Sequence, residues 1–222
     1  MRITKVMDSV DNSISGNSLA LLNSLIGQKL MAYSHEPFDK GGLHCNDFFM
    51  RLGILFPKST YVLDNRVDWF DNWFSTPQYI PHFVFEQVDN EEALRTYAGF
   101  TLEQFETFKV GENIEDIILI QDEIEITKNG EPHQKLLSTE GVIFITDVRQ
   151  YAFYKDNTLL DETILEFKGH NVLSKLADAR GHWQIFAKPF DASCKRALLH
   201  LKNRKEEVMS DEKIAGIDYG DN

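Results

Sequence analysis

The chain has 222 residues, of which 42% are hydrophobic and 12% aromatic, and its 35 acidic and 23 basic side chains give a formal charge of -12. This length and composition predict a globular protein with a sizeable core and exclude a disordered or fibrous chain. A negative field of this size repels the phosphate backbone of nucleic acids, so direct nucleic-acid binding is not expected. The same field favours encounter with a basic protein.

The two cysteines and the apolar segments indicate where the protein acts. Cys45 and Cys194 are too few for a disulfide framework and fit a reducing compartment. The first residues lack the continuous apolar segment of a secretory signal, and no apolar run reaches the roughly 18 residues of a transmembrane helix. We therefore expect a soluble, cytoplasmic protein with no membrane partner.

Helix and strand patterns alternate in the first half of the chain. The spacing of leucines predicts a short helix over Ser18–Ile26, followed by a strand in "QKLMAYS". Alternating apolar residues in "NDFFMRLGILF" and "STYVLDN" predict a β-hairpin, and "HFVFEQV" predicts a further strand. A second helix is predicted over Asn90–Phe108, with Thr101 and Gln104 as a capping box.

A similar pattern starts again at Asn113. Strands are predicted in "IEDIILIQDEIEI", "GVIFITD", "QYAFYK", "ETILEFK" and "HWQIFA", with a turn at "KNGEP". The acids Asp122, Glu123 and Glu125 are interpreted as the charged face or edge of a strand. Helices are predicted in "NVLSKLADAR" and in the closing segment Asp191–Val208, where Asp191 would be the N-cap.

These elements predict an α+β fold, a mostly antiparallel sheet with flanking helices. The likeness of "GILFPKSTYVLDN" to "GVIFITDVRQYAFYKDN" suggests two similar α+β halves packed together. The halves would span residues 1–109 and 113–206, with "KVGEN" between them, and residues 207–222 would form an acidic flexible tail.

The strongest catalytic candidate is "SHEPFDKGGLHCNDFF". Cys45 could act as the nucleophile of a hydrolase if His35 or His44 lowered the pKa of its thiol. If this segment is a strand, the adjacent His44 and Cys45 point to opposite faces, and His35 would have to reach back across the "KGG" turn to act as the base. The alternative is a small buried cysteine. The spacing does not match a zinc site, and no phosphate-binding loop or nucleophile elbow occurs, so neither a metal nor a cofactor is expected.

The stretch "VDWFDNWF" is the strongest binding candidate. In a helix, its two Trp and two Phe residues would share one stripe, which would either pack on the sheet or contact a partner. Trp is frequent at binding hot spots, and acidic residues around it would suit a basic partner. The candidate partner-binding residues are Asp64, Asp68, Trp69, Asp71 and Trp73.

Three phrases of the sequence carry a resemblance. "SLIGQKLMAYSHEPFD", "FFMRLGILFPKSTYVLDN" and "STEGVIFITDVRQYAFYKDNTLLDETI" resemble strand phrases of bacterial immunity proteins of polymorphic toxin systems. The resemblance covers about half of the chain, contains no diagnostic motif and transfers no functional residue. It implies a protein that binds and neutralises a cognate toxin without performing chemistry. Our prediction is thus a non-enzymatic inhibitor of a basic protein, and the alternative is a cysteine-dependent hydrolase.

Overall fold

The computed structural model describes residues 8–35, 48–49, 51–70, 78–89, 106–155, 164–176 and 188–216. Within these residues the chain forms one α-helix, one 3₁₀ turn and twelve β-strands. The helix is α1 (Gly16–Ser24) and the 3₁₀ turn is Leu173–Lys175. The strands are β1 (Asp8–Asn12), β2 (Lys29–His35), β3 (Phe48–Phe49), β4 (Arg51–Leu55), β5 (Thr60–Phe70), β6 (Gln78–Val88), β7 (Glu106–Lys128), β8 (Glu131–Thr146), β9 (Gln150–Lys155), β10 (Ile164–Gly169), β11 (Phe190–His200) and β12 (Lys205–Ile214).

The strands form one mostly antiparallel sheet in the order β3-β10-β9-β8-β7-β2-β4-β5-β6. Strand β11 pairs with β7 and β12, and β1 pairs in parallel with β8. The 23-residue strand β7 connects two parts of this sheet, because residues 106–113 pair with β2 and residues 114–128 pair with β8. The first part of β7 with β2, β4, β5 and β6 is called layer 1 below, and the rest of the sheet is called layer 2.

The two layers share a hydrophobic core. Leu63 and Phe85 of layer 1 belong to the same buried cluster as Leu119 and Phe153 of layer 2, and Leu22 of α1 joins them. A second cluster, which includes Ile120, Ile143 and Leu198, packs beneath the 3₁₀ turn. The sheet is therefore folded over itself, and its apolar side chains are buried on both faces of layer 2.

The predicted α+β class is wrong, because the described residues form an almost all-β protein. The helix predicted at Ser18–Ile26 is confirmed as α1, but the closing segment Asp191–Val208 forms nearly all of β11 and the beginning of β12. The predicted helix at residues 171–180 is reduced to a 3₁₀ turn where it is described. The helix predicted at Asn90–Phe108 lies outside the described residues up to residue 105, and residues 106–108 begin β7.

The proposed division into halves does not coincide with a break in the structure. Residues 109–113 lie inside β7, and residues 207–214 pair with β11 rather than forming a free tail. The two segments that suggested a repeat both contain antiparallel hairpins, with Leu55 opposite Thr60 and Ile145 opposite Gln150. The predicted "KNGEP" turn is confirmed at Asn129 and Gly130, whose positive φ angles of 53° and 79° suit a two-residue hairpin.

Candidate functional site

Asp64, the first of the predicted partner-binding residues, is buried and ion-paired. Its Oδ2 atom lies 2.7 Å from Nη2 of Arg51 and 3.1 Å from Nε of Arg66, and its exposed fraction is 6%. Arg66 also forms an ion pair with Glu86 of β6. Asp64 therefore ties β4, β5 and β6 together and does not belong to an exposed acidic rim.

Asp68 and Trp69 lie further along the same hairpin. Within the described residues, β4 pairs with β5 only from Thr60 to Asp64, whereas β6 pairs with β5 as far as Phe70. Residues 65–70 and 78–83 thus form a two-stranded extension, which we call the arm. The backbone of Val67–Phe70 is extended, so this part of "VDWFDNWF" is not the helix in which the aromatic residues would share one stripe. Asp71 and Trp73 lie outside the described residues.

The arm brings together residues that are distant along the chain. Trp69 is the register partner of Tyr79, and Asp68 is the register partner of Ile80. At the base of the arm, Asn65 and Phe83 are 1% and 2% exposed, so this end is anchored in the core. The predicted binding segment therefore extends from a fixed base.

The predicted catalytic histidine His35 is in an aromatic stack. Its ring is 2% exposed and stacks on Phe108 with ring centroids 5.1 Å apart, close to Tyr33. His44 and Cys45 lie outside the described residues, so the cysteine hypothesis stays a prediction. The other cysteine, Cys194, is fully buried, and burial raises the pKa of its thiol, with the charge of Asp122 adding to the shift. A thiol in this environment is a poor nucleophile.

A cleft that the sequence did not predict opens where the two layers meet. It is a cavity of about 290 Å³ between β2, the first part of β7, β9 and β10. None of the described residues that line it is acidic, and three of them are cationic. Its lining includes Tyr33, Phe108, Lys109, Arg149, Tyr151 and Lys168.

Glu166, behind one wall of the cleft, holds Tyr33 and Lys168. The Tyr33 hydroxyl donates a hydrogen bond to Oε1 of Glu166, and Nζ of Lys168 lies 3.4 Å from the same oxygen. Nζ of Lys168 also lies 5.0 Å from the centroid of the Phe108 ring, which is a cation–π distance. Glu166 is fully buried, so its carboxylate positions Lys168 from beneath while that ammonium group reaches the cleft.

The buried Glu112 plays the same part at the other wall. Its Oε1 atom lies 3.0 Å from Nε of Arg149, and its Oε2 atom accepts a hydrogen bond of 2.6 Å from the Thr146 hydroxyl. Burial raises the pKa of Tyr151, and the neighbouring negative charge of Glu112 raises it further. The Tyr151 hydroxyl stays protonated and is hydrogen-bonded to Glu112.

A separate charge cluster is sealed inside layer 2. Arg196 donates to Asp122 through Nε at 2.7 Å and Nη2 at 2.5 Å, and its Nη1 donates to the Leu176 carbonyl at 2.7 Å. Both side chains are fully buried. The interpretation of Asp122 as part of a strand edge is wrong, because β7 is flanked here by β8 and β11.

Comparison of the chain with protein-family models, curated proteins and solved structures found no match to any of the three. In the described part of the chain, no helix has the length and apolar character needed to cross a membrane. The same residues contain no group of three or more His, Cys, Asp or Glu side chains arranged to hold a metal ion.

Proposed function

We propose that this protein is a non-enzymatic binding protein of the immunity or inhibitor type, which neutralises a basic toxin or enzyme in the cytoplasm. The formal charge of -12 supports this proposal, since complementary charge accelerates association with a basic partner. The resemblance to immunity proteins of polymorphic toxin systems points to the same class.

The observation that carries the proposal is the position of the predicted binding segment on the arm. The described part of β4 does not follow β5 beyond Asp64, so among the described residues only β6 pairs with β5 at Asp68 and Trp69. A two-stranded ribbon is only marginally stable by itself, and contact with a partner would stabilise it. In this arrangement Trp69 and Trp73 anchor the partner while Asp68 and Asp71 steer it.

The partner is first recovered from the native cell lysate by affinity pull-down at low and high salt, and its association is then measured with purified proteins. We expect a basic partner whose association rate falls as salt rises, because salt screens exposed charges. Combining Asp68→Lys and Asp71→Lys should lower the association rate about tenfold, and Trp69→Ala should increase the dissociation rate.

The matched control combines Glu206→Lys and Glu207→Lys on β12. These side chains are 57% and 56% exposed, and the substitutions change the net charge by the same amount. If the control slows association as much as the arm variant, net charge alone steers the partner and the arm is not the binding surface. If the arm variant, with Trp69→Ala included, binds like the wild type, the proposed interface is wrong.

A Cys45→Ala variant separates binding from catalysis. The proposed function requires this variant to neutralise the partner as well as the wild type does. Loss of neutralisation with binding retained would instead support the cysteine-dependent hydrolase, in which Cys45 acts with His35 or His44.

A further inference from the structure

We propose that the cleft between the two layers is a binding site for a small molecule that carries a carboxylate or phosphate group. This inference is independent of the proposed function, because it concerns a different surface from the arm. The protein as a whole is acidic, with 35 acidic and 23 basic side chains, whereas the described lining of the cleft is cationic.

The arrangement of charges around the cleft indicates an anionic ligand. Lys109, Arg149 and Lys168 line the cavity, whereas Glu112 and Glu166 lie behind them and are 7% and 0% exposed. The cluster thus carries one more positive than negative charge, and the positive groups are nearest to the space that a ligand would fill. A ligand oxyanion would meet hydrogen-bond donors first.

Two of the three cations are held in place before any ligand arrives. Glu112 fixes Arg149 through Nε at 3.0 Å, and Arg149 itself is 46% exposed. Glu166 and the Phe108 ring fix Lys168, whose exposed fraction is 33%. Groups that are already oriented lose little conformational entropy on binding, which favours a specific site.

Lys109 is the least constrained of the three cations. It is an exposed residue of β7 that lines the cleft, and no ion pair holds it among the described residues. Tyr151 also lines the cleft, but its hydroxyl is hydrogen-bonded to Glu112. The donors that a ligand oxygen would meet are therefore the three cations.

The size and aromatic wall of the cleft limit the ligand. A cavity of about 290 Å³ lies at the lower end of the range for small-molecule sites. Phe108 and Tyr33 supply ring surface beside the cations, with ring centroids 5.1 Å apart. The site therefore fits a small organic anion or a phosphate ester and is too small for an extended polymer.

Calorimetric titration with inorganic phosphate, and separately with benzoate, tests the site in a buffer of low ionic strength. Saturable binding of one probe is the expected result, and the probe that binds more tightly shows whether the group recognised is a phosphate or a carboxylate. Backbone amide shifts in the nitrogen–proton spectrum should centre on residues 107–110, 149–151 and 168. If neither probe binds saturably, the proposal is wrong.

Two variants locate the binding. Combining Lys109→Gln with Arg149→Gln should lower the affinity for the tighter-binding probe by about tenfold or more. This is the size expected for losing charge-assisted hydrogen bonds. Lys109→Gln alone should weaken it less and leave the fold intact, because Lys109 has no described ion pair to lose. This single variant keeps the test valid if removal of Arg149 disturbs Glu112.

The control combines Lys195→Gln with Lys205→Gln on β11 and β12. These side chains are 44% and 64% exposed and lie outside the cleft lining, and their loss removes the same charge as the double variant. The control should bind the probe like the wild type. Equal weakening in the control and in the cleft variant would show that the probe responds to general charge, and the cleft would not be its site.

Discussion

Two arginine–carboxylate pairs in this protein use the same chemistry in different surroundings. Arg196 and Asp122 are both fully buried, and all three kinds of guanidinium nitrogen of Arg196 donate to described acceptors at 2.5–2.7 Å. Arg149 contacts buried Glu112 through Nε at 3.0 Å and is 46% exposed. The described hydrogen bonds of the first pair are all made in the protein interior, whereas the guanidinium of the second pair is partly exposed to solvent.

Lys155 and Lys168, which lie near these pairs, also differ in their access to solvent. Lys155 is almost completely buried, and its Nζ atom lies 3.1 Å from the Ser138 hydroxyl and 3.5 Å from Glu140. Burial lowers the pKa of Lys155, although the charge of Glu140 opposes this effect. Lys168 has a similar carboxylate partner but reaches the cleft. Solvent access, rather than residue type, therefore distinguishes a structural ion pair from one that can bind a ligand.

The largest effect is expected for Arg196→Met. This substitution leaves Asp122 buried without its cationic partner, which should lower the free energy of unfolding by about 3–5 kcal/mol. Arg149→Met should cost less, about 1 kcal/mol, because Arg149 is half-exposed and the buried Glu112 keeps its hydrogen bond from Thr146. Urea denaturation of the two variants measures the difference.

The double variant Arg196→Met with Asp122→Leu completes this comparison. It should recover part of the stability lost in Arg196→Met, because no uncompensated charge remains in the core. Equal stability losses in Arg196→Met and Arg149→Met would contradict the distinction between the buried and the solvent-facing pair.

A smaller effect is expected for Asp64→Asn. Loss of the charge that faces Arg51 and Arg66 should lower the free energy of unfolding by about 1.5–3 kcal/mol. Glu206→Gln on exposed β12 is the control and should change it by no more than about 0.5 kcal/mol. If Asp64→Asn left stability unchanged in urea denaturation, the ion pairs at the base of the arm would not be structural.

The smallest expected effect is a change in how steeply the free energy of unfolding varies with pH. The pKa of Cys194 is raised by folding, so its contribution to stability is present below the ordinary thiol pKa of about 8.5 and is lost as the pH rises further. Between about pH 8.5 and 10, wild-type stability should fall more steeply than that of Cys194→Ala, by about 1.4 kcal/mol per pH unit. Identical slopes in denaturation experiments would mean that the buried thiol ionises as easily as an exposed one. Other titrating groups are common to both proteins and cancel in the difference.

Strand positions were predictable where apolar and polar residues alternate without interruption. The segments "QYAFYK" and "KNGEP" correspond to β9 and to the hairpin turn, because their local pattern agrees with the pairing that the fold imposes. The helix predicted over strand β11 is wrong. Its buried positions Ala192, Cys194, Arg196 and Leu198 follow a period of two, but Arg196 reads as a surface residue until Asp122 is known to face it.

The cleft was not predictable for a different reason. Its lining comes from residues 33, 107–110, 149, 151 and 168, which no local motif connects. Glu166 and Glu112 become important only when sheet pairing brings β10 and β7 close to Tyr33 and Arg149. The structural role of Asp64, one of the predicted binding residues, was not predictable either, because its arginine partners are recognised only from the structure.

The long strand β7 has a consequence for how the molecule melts. Because layer 1 pairs with its first residues and layer 2 with the remainder, loss of β7 removes hydrogen-bonding partners from both layers together. Apolar side chains of both layers pack in one shared core, so separating the layers would expose apolar surface of each to water. Heat should therefore unfold the two layers cooperatively in a single calorimetric transition, and a fragment ending near residue 110 should not retain the native fold of layer 1.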